Sequence, residues 1–435
     1  MGWSDHQQGV AGELLAGNLP AAEALLKEGD AVTQRLGGIH RAHLLHLVCW
    51  FKLLQGDFPE AWTQIQQSLN LLAAEGGHMF GEGSDGVVAV HVLRELGRVP
   101  EAVQWLERVM QIADRMQSDL LRFGGWILTA QLAFDRNDEA EGFDALRKAL
   151  KIAESRGLMQ YPGCQPQIMA TLCAKALHAG IQVPFVLRMI QKHRFPAPPG
   201  AGCLETWPWP IKIYTLGKFE VLINGKPLGK NRKTSHRLIE LLAAIITHGG
   251  APISAARLMD MLWPEADGDQ ARENLKKSIA RLRQLLAVDD VLRWQDGEIS
   301  LNRARCWVDA WAFEASFGEE EPRRATGEGL HDGHRNNIIA LYRGPFLGWN
   351  EIAAWAHPYR ERVRKQFTRL VSQREDVVAE DQRQERISEL ARAINVDPVA
   401  EPLYYQLIPL LVSANRHDEA AAYYDRCRTE LARWA

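Results

Sequence analysis

Four phrases in the first 150 residues, AGNLPAAEALL, QGDFPEAWTQI, LGRVPEAVQWL and DRNDEAEGFDAL, share nearly one register. Anchored on Gly17, Gly56, Gly97 and Asn137, they recur at intervals of 39, 41 and 40 residues. Glu60, Glu101 and Glu141 each stand four residues after their anchor, and Gly37, Gly76 and Gly157 each stand twenty after. A period of this length means one supersecondary unit per repeat, which cannot bury its apolar face alone and must stack on its neighbours. Each repeat reads as a turn at the anchor, a helix of four to five turns, a glycine C-cap and a second helix. The second helices carry apolar residues at helical spacing, as in Leu44, Leu47, Val48, Phe51 and Leu54. The expected architecture is a helical-hairpin solenoid over residues 1–195, whose groove either takes a protein or small-molecule effector or serves as a passive spacer.

A chain of 435 residues is too long for one core and should fold as two to four domains. Its 46% hydrophobic and 24% charged residues are ordinary for a soluble globular protein. It has no run of about 18 apolar residues and no basic-then-apolar start, so neither a membrane partner nor a secretion signal is expected, and the location read is cytoplasmic. The six cysteines contain no C-x-x-C pair and read as buried free thiols. The net charge of −3 excludes a wholly basic nucleic-acid binder, but it is unevenly spread. Residues 211–305 hold sixteen basic against eleven acidic side chains, a net of +5, between two acidic segments.

Five prolines in PAPPGAGCLETWPWP mark residues 196–210 as a semi-rigid linker. Beyond it, IKIYTLGKFEVLINGKPLGK alternates apolar and polar residues around an Asn224-Gly225 turn and should form a small antiparallel sheet. Helical patterns follow over 233–247, 254–262 (with Ser254 as N-cap) and 269–287, and then a hairpin turning at Asp296-Gly297. At about 100° per residue, Leu275, Ile279, Leu282 and Leu286 make the buried stripe of the third helix. Gln270, Glu273, Lys277, Arg281 and Gln284 lie opposite, flanked by Asn274 and Lys276, and offer forked and amide donors suited to base edges. A solvated basic face is the plain alternative. Arg232 and Lys233 before the first helix and Arg293 in the hairpin are candidates for phosphate contact.

The repeats resemble tetratricopeptide repeats in the longer form found in bacterial signal-transduction regulators. The order of sheet, three helices and hairpin in residues 211–305 resembles the OmpR/PhoB-type winged helix-turn-helix that ends many response regulators. That resemblance implies contact with RNA polymerase through the acidic loop that follows Trp263, by Glu265, Asp267 and Asp269. An ordinary N-terminal cap for the third helix explains the same acids.

Residues 306–435, with LYRGPFL at Leu341 to Leu347, a basic helix around Tyr359, Arg360, Arg362 and Arg364, and INVDPVAEPLYYQLIPLLVSANRHDEAAAYYDRCRTEL, resemble the bacterial transcriptional activation domain. In SARP-type activators that domain directly follows a winged helix. A solenoid joined to this pair is similar to STAND-class regulators, yet no G-x-x-x-x-G-K-[ST] occurs, so no nucleotide cofactor is expected. His40, His43 and His46 sit three apart on one helix, and His331 and His334 lie in EGLHDGH. Neither group has the companions of a metal site, and no hydrolase signature is present, so neither metal nor catalytic residues are assigned.

The fold expected is mainly α: a solenoid over 1–195, a linker over 196–210, a winged helix over 211–305 and an activation domain over 306–435. The function expected is a sequence-specific transcription regulator without enzymatic activity, an activator that contacts polymerase. The resemblance implies promoter direct repeats bound by a head-to-tail homodimer. The alternative is an adaptor whose winged helix binds protein.

Overall fold

The repeat anchors are turns in the computed structural model, which describes residues 3–33, 36–228, 236–325, 332–348, 352–372 and 380–434. Gly17, Gly56, Gly97 and Asn137 take φ of 71°, 80°, 72° and 59°, a left-handed bend that joins two helices side by side. Around them lie α1 (Trp3–Leu15) and α2 (Leu19–Thr33), α3 (Gly38–Gln55) and α4 (Phe58–Ala74), α5 (Met79–Glu95) and α6 (Val99–Arg115), and α7 (Asp119–Asp135) and α8 (Glu139–Arg156). The recurring glutamate has a physical cause. Asp57 and Asp138 cap α4 and α8 by accepting the amides of Glu60 and Glu141, which stand at the third helical position. The third repeat lacks that cap and pairs Arg98 with Glu101 instead.

The odd-numbered helices pack on one another in order, α1 on α3, α3 on α5 and α5 on α7, and so form the inner layer of the solenoid. After α8 the chain turns back across this layer before entering α9 (Pro166–His178) and α10 (Val183–His193). Residues 157–165 form that strap. The Trp50 indole nitrogen of α3 donates to the Cys164 carbonyl (3.0 Å), and His91 Nε2 of α5 lies 3.2 Å from the Tyr161 hydroxyl. Gly163, at φ 71°, sits so close to α5 that a Cβ would stand 2.6 Å from Val88 Cγ2. With the strap on one side and neighbouring helices on the others, α5 is buried continuously from Gly83 to Leu93.

Two compact units make up the chain, Met1–Ala201 with Thr206–Pro208, and Gly202–Glu205 with Trp209–Ala435. The second begins with β1 (Ile211–Tyr214), β2 (Glu220–Ile223) and β3 (Lys226–Pro227). Then come α11 (His236–Ile246), β4 (Ile253–Ser254), α12 (Ala255–Leu262), α13 (Gly268–Leu286), β5 (Leu292–Gln295), β6 (Glu298–Leu301) and β7 (Cys306–Val308). Both hairpin turns have positive φ at two successive residues, 48° and 77° at Asn224-Gly225 and 51° and 79° at Asp296-Gly297, matching the twist of the strands they join. One sheet has the order β3-β2-β1-β7, with β7 parallel to β1, and the other has β4-β6-β5.

The helices α14 (Asp309–Ala325), α15 (Asp332–Leu341), α16 (His357–Ser372), α17 (Glu380–Val396), α18 (Glu401–Ser413) and α19 (His417–Trp434) complete the unit. One continuous buried cluster runs from Ile211 to Ala420, so winged helix and C-terminal helices share a core. Their joint is backbone on backbone. Leu347 donates its amide to Thr215 and Gly217 donates to Pro345, while Asp309, fully buried, accepts from the amides of Thr215, Leu216 and Ala310 and from the Thr215 hydroxyl. Burial raises the Asp309 carboxyl to about 6 against the pull of those donors.

The arginines of the basic helix around Tyr359 are engaged inside the unit. Arg360 is buried, donating to the carbonyls of Phe346 and Gly348, Arg364 pairs with the buried Asp397, and Arg362 pairs with Glu314. Of the six thiols, Cys203 and Cys427 are half-buried rather than buried. His331 and the side chain of His334 lie outside the described residues. Among the described residues, no helix is long and apolar enough to cross a membrane, and no cluster of three or more His, Cys, Asp or Glu could hold a metal.

Candidate nucleic-acid interface

The third helix of the winged helix, α13, is amphipathic because its apolar residues recur every three or four positions. Ala271, Leu275, Ile279, Leu282 and Leu286 are buried in the shared core. That stripe faces α11 and α12 and fixes which residues look outward. Gln270, Glu273, Lys276, Lys277, Arg281 and Gln284 are exposed, and Asn274 is half-buried. Gln270 donates to Asn274 (3.1 Å), and Lys277 is 3.3 Å from Glu273 one turn away. Among the described residues, Lys276 and Arg281 have no side-chain partner. The exposed face therefore presents a mixed row of amide and cationic donors, with one of the cations neutralised locally.

Two devices hold α13. At its N-terminus Asp267 caps the helix, accepting the Gln270 amide at 2.8 Å. At its C-terminus Arg283 donates to the Leu292 carbonyl through two nitrogens (3.2 and 3.1 Å), tying the helix to the first strand of the β5–β6 hairpin. α12 is capped by Ser254, which also belongs to β4 and brings the wing sheet against the helix pair. The Trp311 indole donates to Ile246 at the end of α11.

Arg293 is exposed on β5, but its guanidinium forms a two-point pair with Asp290 (2.8 and 2.5 Å), and hydrogen bonding from Arg293 lowers the Asp290 carboxyl below its ordinary value. Asn302 also donates to Asp290. Arg232 and Lys233 lie outside the described residues. Glu265 and Asp269 are exposed beside the capping Asp267, and Trp263 packs against the core with the Arg237 guanidinium 5.7 Å from its ring. Two exposed arginines, Arg257 on α12 and Arg272 on the first turns of α13, were not singled out from the sequence. Their only signal there is their position on the polar side of each helical pattern.

Residues 308–434 match the model of the bacterial transcriptional activator domain. Among solved structures, the chain is similar to EmbR of Mycobacterium tuberculosis, solved in complex with a low affinity phosphopeptide, at 22% identity and a TM-score of 0.38. That similarity covers 52% of this chain and 60% of that one, so the chain spans less than two thirds of EmbR. The TPR domain of P58(IPK) is similar at 12% identity and a TM-score of 0.21, over 98% of this chain and 92% of that one. No curated protein matches. Residues 308–434 thus carry the match to the bacterial transcriptional activator domain, and they follow a winged-helix arrangement and a helical-hairpin solenoid.

Proposed function

We propose that this chain is a SARP-type transcriptional activator that reads promoter DNA with α13 and is controlled through the solenoid. The observation that carries the reading is the division of α13 into a buried stripe and an opposite face of Gln270, Asn274, Lys277, Arg281 and Gln284, beside a hairpin to which Arg283 ties it. A helix braced on its apolar side with amides and guanidinium outward has what major-groove recognition requires. Lys276, Arg257 and Arg272 supply charge at the edges, which suits phosphate. Arg232 and Lys233 are proposed for the same task, and Arg293 would serve only after leaving Asp290. The net +5 of residues 211–305 adds attraction at longer range.

Within the same reading, residues 1–195, 196–210, 211–305 and 306–435 act as input solenoid, linker, DNA reader and activation domain. The protein binds direct repeats as a homodimer, and Glu265, Asp267 and Asp269 meet RNA polymerase. It works in the cytoplasm and catalyses no reaction.

The decisive experiment is recovery of DNA bound to the protein in cells, with Arg281→Ala as the companion. A repeated sequence should be enriched, and the variant should lose about 1 to 3 kcal/mol on it with relaxed base preference. Absence of any enriched repeat would favour the adaptor reading, in which the winged helix binds protein.

A further inference from the structure

The solenoid groove is not an open channel. The strap of residues 157–165 crosses the inner layer and walls part of it into a half-open cavity of about 780 Å³. A volume of this size suits a small organic molecule and not an extended peptide. Its walls include Trp50 and Phe80 from the helices and Tyr161 from the strap. Together they make a largely apolar chamber wide enough for a ring system.

Asp85 apart, the polar groups of this chamber are neutral side chains, three histidines and the cation Lys192. Asp85 is the single acid of the lining, and it is buried with both oxygens engaged: His46 Nδ1 lies 2.8 Å from Oδ1, and the Ser68 hydroxyl donates to Oδ2 at 2.6 Å. The contact with Asp85 puts the His46 proton on Nδ1. His78 accepts the Gly81 amide at its own Nδ1 (2.9 Å), which leaves Nε2 as its donor. Burial first, then His46 and His78, keeps His43 below the ordinary imidazole range. Lys192 stands at the rim. The Ser84 hydroxyl lines the same chamber, is more than nine-tenths buried, and has no partner among the described residues. An unsatisfied buried hydroxyl beside histidines and a lysine is a vacant polar position next to an apolar wall.

We infer that this cavity binds a small amphipathic organic anion, with its carboxylate among Ser84, His43, His78 and Lys192 and its apolar body against Trp50, Phe80 and Tyr161. A cation would meet Lys192, and the one acid would offer it no free oxygen. The inference deepens the reading of the solenoid as the controlling module and rests on it for its regulatory meaning.

Equilibrium dialysis of the full-length protein against three probes of one shape tests it: 1-naphthoate, 1-naphthylmethylammonium and 1-naphthalenemethanol. Naphthoate should bind saturably at one site, at least tenfold more tightly than the ammonium probe and more tightly than the alcohol. Ser84→Met, which fills the chamber and removes the hydroxyl, should weaken naphthoate at least tenfold. Lys192→Met, an exposed change with no bearing on the core, should weaken it severalfold and leave the alcohol unaffected. Equal or tighter binding of the ammonium probe overturns the inference, as does saturable binding of none of the three or naphthoate binding undiminished in Lys192→Met. DNA retention by the same preparation is measured without any probe. Loss of DNA binding alone counts against the promoter reading, and loss of probe binding alone counts against the cavity.

Discussion

Replacing Gly217 by alanine should separate two costs that glycines commonly combine. Gly217 has φ of 92°, where a Cβ costs about 1 to 2 kcal/mol in backbone strain. That Cβ would also stand 2.6 Å from the Arg343 carbonyl oxygen and 3.3 Å from the Gly344 nitrogen. Those neighbours are backbone held by the hydrogen bonds between Gly217 and Pro345 and between Leu347 and Thr215. They cannot swing aside as a flexible side chain would, and forcing them apart adds about 1 to 3 kcal/mol. The total should therefore be about 2 to 5 kcal/mol. Gly225 is the control, with φ of 77° and nothing within 4 Å of its Cβ position, so Gly225→Ala should cost only the strain. The assay is hydrogen exchange by mass spectrometry across a urea series on the full-length protein, read in peptides covering 211–223 and 341–348. Gly217→Ala should lower the opening free energy in both peptides together, and Gly225→Ala should lower it less and only in the first. Equal losses from the two substitutions would refute the claim that a backbone crossing joins the winged helix to the activation domain.

His91 is fully buried, and burial with the nearby Arg94 lowers its pKa from 6.5 to about 3. Because the depressed value favours the neutral ring, its contribution is complete above pH 6.5 and is lost as pH falls toward 3, at about 1.4 kcal/mol per pH unit. Urea unfolding of the solenoid at pH 7 and 5 should differ by about 2 kcal/mol more in the native chain than in His91→Gln. Ile279→Asp, at a residue 2% exposed, should cost several kcal/mol and unfold the second unit, and an unchanged melting curve would show that α13 is rotated from its buried stripe. Changing Glu265, Asp267 and Asp269 together to Gln, Asn and Asn keeps a capping side chain at 267, so the fold and promoter occupancy should hold while transcription falls; undiminished transcription at full occupancy removes the loop from polymerase contact. Residues 1–195 and 205–435 expressed apart should each unfold cooperatively, as seen by calorimetry, and an unfolded fragment would put the division elsewhere.

What could be read from the sequence was whatever repeats at short range. The stripe Leu275, Ile279, Leu282, Leu286 follows from helical spacing alone, and Asn224-Gly225 and Asp296-Gly297 announce their turns in two letters. What the arginines touch could not be read, for the opposite reason. Arg360 and Arg364 look like surface charge until the chain brings in the Phe346 carbonyl and Asp397, which no local pattern reveals. The pairing of Arg293 with Asp290 was not legible because an acid three residues away is a weak signal without the geometry of the turn that aims it. The chamber was invisible from sequence. His46 stood in a histidine run that lacked an acid nearby, and Asp85 reaches it from 39 positions away across two helices. In the same way, the strap reads as an ordinary break between repeats.

That strap alters how the solenoid should come apart. A stack in which each hairpin touches only its neighbours frays from its ends, one repeat at a time, and its stability grows with length like that of a chain of coupled spins. Here the bond from Trp50 to Cys164 spans 114 residues, and Tyr161 and Gly163 hold α5 from the far side. The strap after the fourth hairpin is thereby laced to the second and third, as a drawstring gathers the mouth of a bag. Opening anywhere between α3 and α8 must break this lacing before it gains freedom, so that stretch should melt as one cooperative body. A molecule that tightens the lacing at any point would be felt along that stretch, which gives the N-terminal unit a way to report a local event at a distance.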